Sequence, residues 1–143
     1  MCHFHSIRIV NWEDEVFTLR AIRTAVFIHE QRVPENLEWD EFDAISMHVL
    51  AFNSDGQPVG TARLLPDGHI GRMAVLKEWR GKGYGSAVLQ RILEELRNRH
   101  CQKAMLNAQT TAVKFYEKFG FHAYGEEFME ANIPHIKMIL VAK

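Results

Sequence analysis

Arg80-Gly81-Lys82-Gly83-Tyr84-Gly85-Ser86 follows Ile70-Gly71-Arg72-Met73-Ala74-Val75, which reads as a strand, and opens Gly83 to Arg99, which reads as a helix. Glycines at such a junction free successive backbone N–H groups to converge on one anion, and the helix N-terminus adds partial positive charge. Arg80 and Lys82 add full charges. A turn that only reverses the chain has the same composition, so the surroundings must discriminate. Two familiar phosphate loops fail: a Walker A loop puts Gly-Lys directly before Ser or Thr, whereas Gly85 precedes Ser86. The dinucleotide fingerprint G-x-G-x-x-G needs an early βαβ unit, but these glycines are spaced G-x-G-x-G after a meander.

Upstream, Ser6 to Val10 alternates as a strand, and Asn11 is placed to cap a helix with Glu13, Asp14 and Glu15 in its first turn. Trp12, Val16, Leu19, Ile22 and Val26 form its apolar stripe, ending near His29. Gln31 to Ala44, with Pro34, reads as a loop or short helix. Strands Met47 to Phe52, Val59 to Leu65 and Ile70 to Val75 follow, joined by turns at Asp55-Gly56 and Pro66-Asp67-Gly68. Downstream of the long helix, Lys103 to Ala108 reads as a strand and Thr111 to Phe119 as a helix stopped by Gly120. Phe121 to Tyr124 and Ile136 to Val141 close the sheet. The expected fold is α/β, in one domain spanning 1–143.

Composition agrees with a globular protein. With 143 residues, 47% of them hydrophobic and 24% charged, one core can be built without staples. A net charge of -1 leaves no excess of cations for nucleic-acid phosphates. No apolar run approaches the roughly 20 residues of a membrane span, and Met1 to Val10 lacks a signal-peptide core, so a cytoplasmic protein is expected. Cys2 and Cys101 read as free thiols, and His3 and His5 as solvated side chains rather than metal ligands.

Arg-x-x-Gly-x-Gly after a strand ending Met73-Ala74-Val75 resembles the acetyl-CoA signature of the GNAT N-acetyltransferase superfamily. Asn107-Ala108-Gln109, then Ala112 and Phe115-Tyr116-Glu117-Lys118-Phe119-Gly120-Phe121, resemble that superfamily's next strand and helix. Val26-Phe27, Glu30-Gln31, Pro34, Glu38, Asp40, Asp43 and Ile133-Pro134-His135 resemble its small ElaA/YjcF branch, so the likeness spans nearly the whole chain. The resemblance implies a mixed, mostly antiparallel sheet flanked by helices, with two parallel strands splayed apart for the coenzyme. It also implies acetyl transfer from acetyl-CoA to an amine, without a metal.

Such transfer needs a held donor, a neutral amine, stabilised charge on the carbonyl oxygen and a proton for the leaving thiolate. Amides of the loop from Arg80 to Ser86, through Gly81, Lys82, Gly83, Tyr84 and Gly85, are assigned to the pyrophosphate. By resemblance, Met73, Ala74 and Val75 hold the pantetheine arm, Asn107 lines the facing strand, and Tyr116 protonates the thiolate. No carboxylate stands on the strand before the loop, where many superfamily members place a base. Glu30, Asp40, Asp43, His48 and His135 remain candidates, the histidines because they titrate near neutrality; a water relay is an alternative. Between Val33 and Ala62 the charged residues are all acidic, which suggests an acidic acceptor wall with Glu30, Asp40 and Asp43 binding a cationic amine. The acceptor is expected to be a small-molecule or peptide amine, and the protein a monomer or homodimer. A non-catalytic acyl-CoA-binding module would keep the loop without needing Tyr116; a nucleotide- or phosphate-binding protein would use the loop differently.

Overall fold

Asn11 accepts the backbone N–H of Asp14 at 2.9 Å and so starts helix α1, Trp12–Arg23, whose acidic first turn and basic last turn both suit the helix dipole. The computed structural model describes residues 6–141, so Cys2, His3 and His5 lie outside the described residues. Beyond α1 the chain stays helical but widens into a π-helical segment, Thr24–Glu30, closed by Gln31 N–H on the Val26 carbonyl at 3.0 Å. The apolar stripe foresees the helix but not this change of pitch. A short helix α2, Glu35–Glu38, then occupies the acidic stretch.

The sheet is built from β1 Ser6–Val10, β2 Met47–Phe52, β3 Pro58–Leu64, β4 His69–Val75, β5 Lys103–Gln109, β6 His122–Glu130 and β7 Ile133–Val141. Their order is β1-β2-β3-β4-β5-β7-β6. Every neighbouring pair is antiparallel except β4 and β5. That parallel pair is registered only at His69 with Met105 and Ile70 with Leu106, after which the strands part. Helix α3, Tyr84–Asn98, returns the chain between them, with Val88, Leu89, Ile92, Leu93 and Leu96 buried. A short turn, α4, Val113–Glu117, follows β5. It is briefer than the helix expected from Thr111 to Phe119, because Thr110–Ala112 is wound as a 3₁₀ turn.

Alternation along the strands sends side chains to two faces. Val49 and Ala51 join the apolar cluster of α3, and Leu50 joins that of α1 with Leu19, Ile22, Val26 and Phe27. Each fully buried leucine or isoleucine in these clusters contributes about 1.5–3 kcal/mol. α1 and α3 therefore cover opposite faces of one sheet. β6 and β7 extend further than the sequence suggests and meet in a turn where Ala131 and Asn132 both have positive φ. No helix among the described residues is long and apolar enough to cross a membrane.

Candidate functional site

Where β4 leaves β5, a cleft of about 600 Å³ opens through the sheet. Phe27 from the α1 side and Tyr116 from the α3 side line the same space. A bulge in β4 widens the gap: the register with β3 slips between Thr61 and Arg63, and Arg72 sits at φ 53°. A bulky residue in that conformation is strained, and such strain is kept where it re-aims a side chain. Here it turns Arg72 to the cleft.

The glycine loop caps α3 without a side chain. Gly83, at φ 92°, is the N-cap residue, and Gly81 has φ 76°. A Cβ added at either position would meet nothing within 4 Å, so open space lies over both. Gly85 is different; its Cβ would touch Phe115 at 3.7 Å and Val75 at 3.8 Å, so it lets α3 approach α4 and β4. Arg80 is paired within the chain. It holds Glu30 through both terminal nitrogens at 2.7 Å and donates from Nε to the Val75 carbonyl at 2.9 Å. The hydrogen bond and charge of Arg80 hold the Glu30 carboxyl below its usual range.

Tyr116, on α4, lies against β4 with its hydroxyl 3.6 Å from the Met73 sulfur. Burial pushes its phenol up to about 12. Met73 and Asn107 line the cleft, whereas the Ala74 side chain is packed in the α1 cluster.

The acceptor side departs from the expected acidic wall. Glu38, Asp40 and Asp43 are there, but each is matched by arginine. Arg23, fully buried, binds Glu38 and Asp43 at 2.7 Å each. Arg63 binds Asp40 at 2.7 Å and Asp43 at 3.0 Å, and Arg72 binds Glu38 and Asp40, both at 3.2 Å. Three cations thus face three anions. Burial pushes the Asp43 carboxyl up, but hydrogen bonds and charge from Arg23, with a hydrogen bond from Arg63, leave it below the usual range. The acidic run, taken along the chain, omits the arginines that fold onto it from α1, β3 and β4. Arg23 was legible as an anomaly, since it stands four residues after Leu19 on the buried stripe, and Arg63 interrupts the apolar β3.

Three expected acceptor-side residues do not line the cleft: Glu30, Asp43 and His48. His48 is 1% exposed and lies against Trp12, ring centres 5.3 Å apart and planes tilted by 35°. Its Nε2 is 2.8 Å from the Asp43 carbonyl, which can only accept, so Nε2 carries the hydrogen. Burial pushes its pKa down. A ring so placed holds the network's loop and has no path to a substrate proton. His135 does line the cleft, at 7% exposed. Its Nδ1 donates to the Ile133 carbonyl at 2.7 Å, so the lone pair of the neutral ring is at Nε2, 3.8 Å from Glu130 Oε2. Glu130 is also 3.4 Å from the Asn107 amide nitrogen. Sequence reasoning missed Glu130, Arg63 and Arg72 as cleft residues. Glu130 owes its place to a second bulge between Tyr124 and Phe128, which nothing local announces beyond Gly125 at φ 76°. No cluster suited to a metal ion occurs among the described residues.

Comparison with known proteins agrees with this geometry. A family model described as an acetyltransferase (GNAT) domain matches residues 13–142. The uncharacterized N-acetyltransferase YjcF of Bacillus subtilis is 36% identical over 122 residues, covering 82% of this chain and 86% of that one. The crystal structure of an acyl-CoA N-acyltransferase from Pseudomonas aeruginosa superposes with a TM-score of 0.85 at 30% identity, covering 96% of this chain and 100% of that one. Escherichia coli ElaA superposes with a TM-score of 0.85 at 27% identity, covering 96% and 99%. A family match over most of the chain, on a sheet parted between two parallel strands, settles the matter: the chain belongs to the GNAT acetyltransferase family, in the branch that holds ElaA and YjcF.

Proposed function

We propose that residues 1–143 act as one N-acetyltransferase domain that moves the acetyl group of acetyl-CoA directly to an amine in a ternary complex. The parting of β4 from β5 with the Tyr116 hydroxyl against Met73 supports this reading most directly. The open space over Gly81 and Gly83 fits a pyrophosphate, which the loop amides and the start of α3 would hold. When bound, acetyl-CoA supplies an acetyl group activated as a thioester.

The chain's residues then divide the work. Backbone N–H groups freed from the ladder at the β4 bulge would be the donors that stabilise charge on the acyl oxygen. His135 Nε2, left bare by the hydrogen bond at Nδ1, takes the proton of the acceptor amine. Tyr116 keeps its proton at neutral pH because burial holds its pKa at about 12, so it serves as donor and not as base.

The test is to incubate the protein with acetyl-CoA and a panel of amines while following free thiol. Thiol release that depends on an amine is the expected result. Tight binding of acetyl-CoA with no release for any amine would leave an acyl-CoA-binding module in its place.

A further inference from the structure

We infer that the acceptor is a small zwitterion, an amine that carries its own carboxylate, as an amino acid does. The inference rests on the proposed transfer to an amine and names what that amine is attached to.

The charges along the cleft wall point this way. A wall meant for a plain cation would present uncommitted carboxylates, yet the cleft's Glu38 and Asp40 are spent on Arg23, Arg63 and Arg72. What the wall has left over is donors. Arg63 is 6% exposed and lines the cleft, and it meets its carboxylates through Nη1 alone, so Nη2 makes no hydrogen bond among the described residues, while Nε, also without a partner there, is buried out of reach. Arg72 spends Nε and Nη2 on Glu38, Asp40 and the Leu37 and Glu38 carbonyls, so Nη1 remains. Two arginines with unspent N–H groups at one cleft form a carboxylate site. The strained backbone at Arg72 is what brings its guanidinium there.

Glu130 is the cleft carboxylate that no arginine or lysine holds among the described residues; its partners are Asn107 and His135. It stands beside the bare Nε2 of His135, where an ammonium would be attracted before giving up its proton. An acceptor carrying both charges satisfies both walls and adds no net charge to a neutral network. A cleft of about 600 Å³ that must also admit the acyl end of the donor leaves room for a small molecule.

The experiment compares each of the twenty L-amino acids and β-alanine with its carboxamide and with the amine lacking the carboxyl group. Transfer is followed by thiol release, and binding by calorimetry in the presence of CoA. We expect at least one amino acid to exceed both relatives by about tenfold or more in kcat/KM and in affinity, the scale of one charge-assisted hydrogen bond. Arg72→Lys, which keeps a charge in the network but has no second nitrogen to offer, should shrink that preference, read as the ratio of amino acid to carboxamide within the same variant so that any general loss of activity cancels; an unchanged ratio overturns the inference. Equal or better transfer to amines lacking a carboxylate overturns this inference and leaves the transferase intact. Transfer to no amine at all removes the proposed function, and this inference with it.

Discussion

The glycine loop between β4 and α3 and the arginine–carboxylate network beside β3 differ in what they are made of. The loop works through consecutive backbone groups, with Gly81 and Gly83 at positive φ and no side-chain cap on α3. The network draws six side chains from α1, α2, the segment after α2, β3 and β4. Neighbours in sequence make the first; neighbours only in the folded chain make the second. A local device tolerates change elsewhere and fails at its own residues, whereas a network of buried charges fails wherever any one member is lost.

Breaking the network should therefore have the largest effect. Arg23→Leu leaves Glu38 to Arg72 alone and Asp43 to Arg63 alone, so three buried or half-buried anions face two cations, and it is expected to cost about 3–5 kcal/mol in urea unfolding. Adding Glu38→Gln alone, which restores two cations facing two anions, should recover much of that loss, because the penalty belongs to the unbalanced charge. No recovery would mean that packing of the guanidinium, and not charge, holds this side.

Tyr116→Phe comes next and concerns chemistry alone. Turnover is expected to fall by roughly 10²-fold or more with little change in acetyl-CoA affinity. An unchanged single-turnover rate on a genuine acceptor would return Tyr116 to the role of a packing residue.

At the loop, Gly83→Ala should cost about 1 kcal/mol of stability, because φ 92° disfavours any Cβ. Gly56→Ala supplies the control: Gly56 has φ 79° and equally open surroundings, but lies in the β2–β3 turn. Both should lose similar stability, and Gly83→Ala alone should weaken acetyl-CoA binding. Equal binding in the two variants would reduce the loop to a structural turn.

The smallest effect is a slope. Burial pushes His48 below 6.5, so the unfolded chain takes up this proton first as pH falls. Its contribution is present above pH 6.5 and is lost as pH falls toward the depressed folded value. Unfolding free energies measured in this window should decline with acidification by no more than about 1.4 kcal/mol per pH unit from this group. His48→Phe should flatten that part of the curve; an unchanged slope would assign the dependence to other groups.

The sheet was legible because strands announce themselves by alternation and turns by glycine and proline. Ser6–Val10 and Met47–Phe52 fall where the pattern puts them. The loop was legible too, since spacing is a local property, although the use of Arg80 on Glu30, fifty positions away, was not. The acidic run showed the limit. Charges counted along the chain from Val33 to Ala62 suggest a negative wall, and the fold brings Arg23, Arg63 and Arg72 onto it from outside or from its far edge. His48 and His135 looked alike in sequence; a hydrogen bond to Asp43 encloses one behind the network, and the pairing of β7 with β5, His135 opposite Gln109, places the other at the cleft.

The π-helical segment at Thr24–Glu30 carries one more consequence. Its wide turn holds a residue that an α-helix would omit, and its end hands Glu30 to Arg80 and Gln31 to Gln109, the latter at 2.9 Å. Deleting one residue there would restore ordinary pitch and rotate all that follows by about 100°. Glu30 and Gln31 would then swing off both partners, so the length of this segment is dictated by β4 and β5 and not by the helix that contains it.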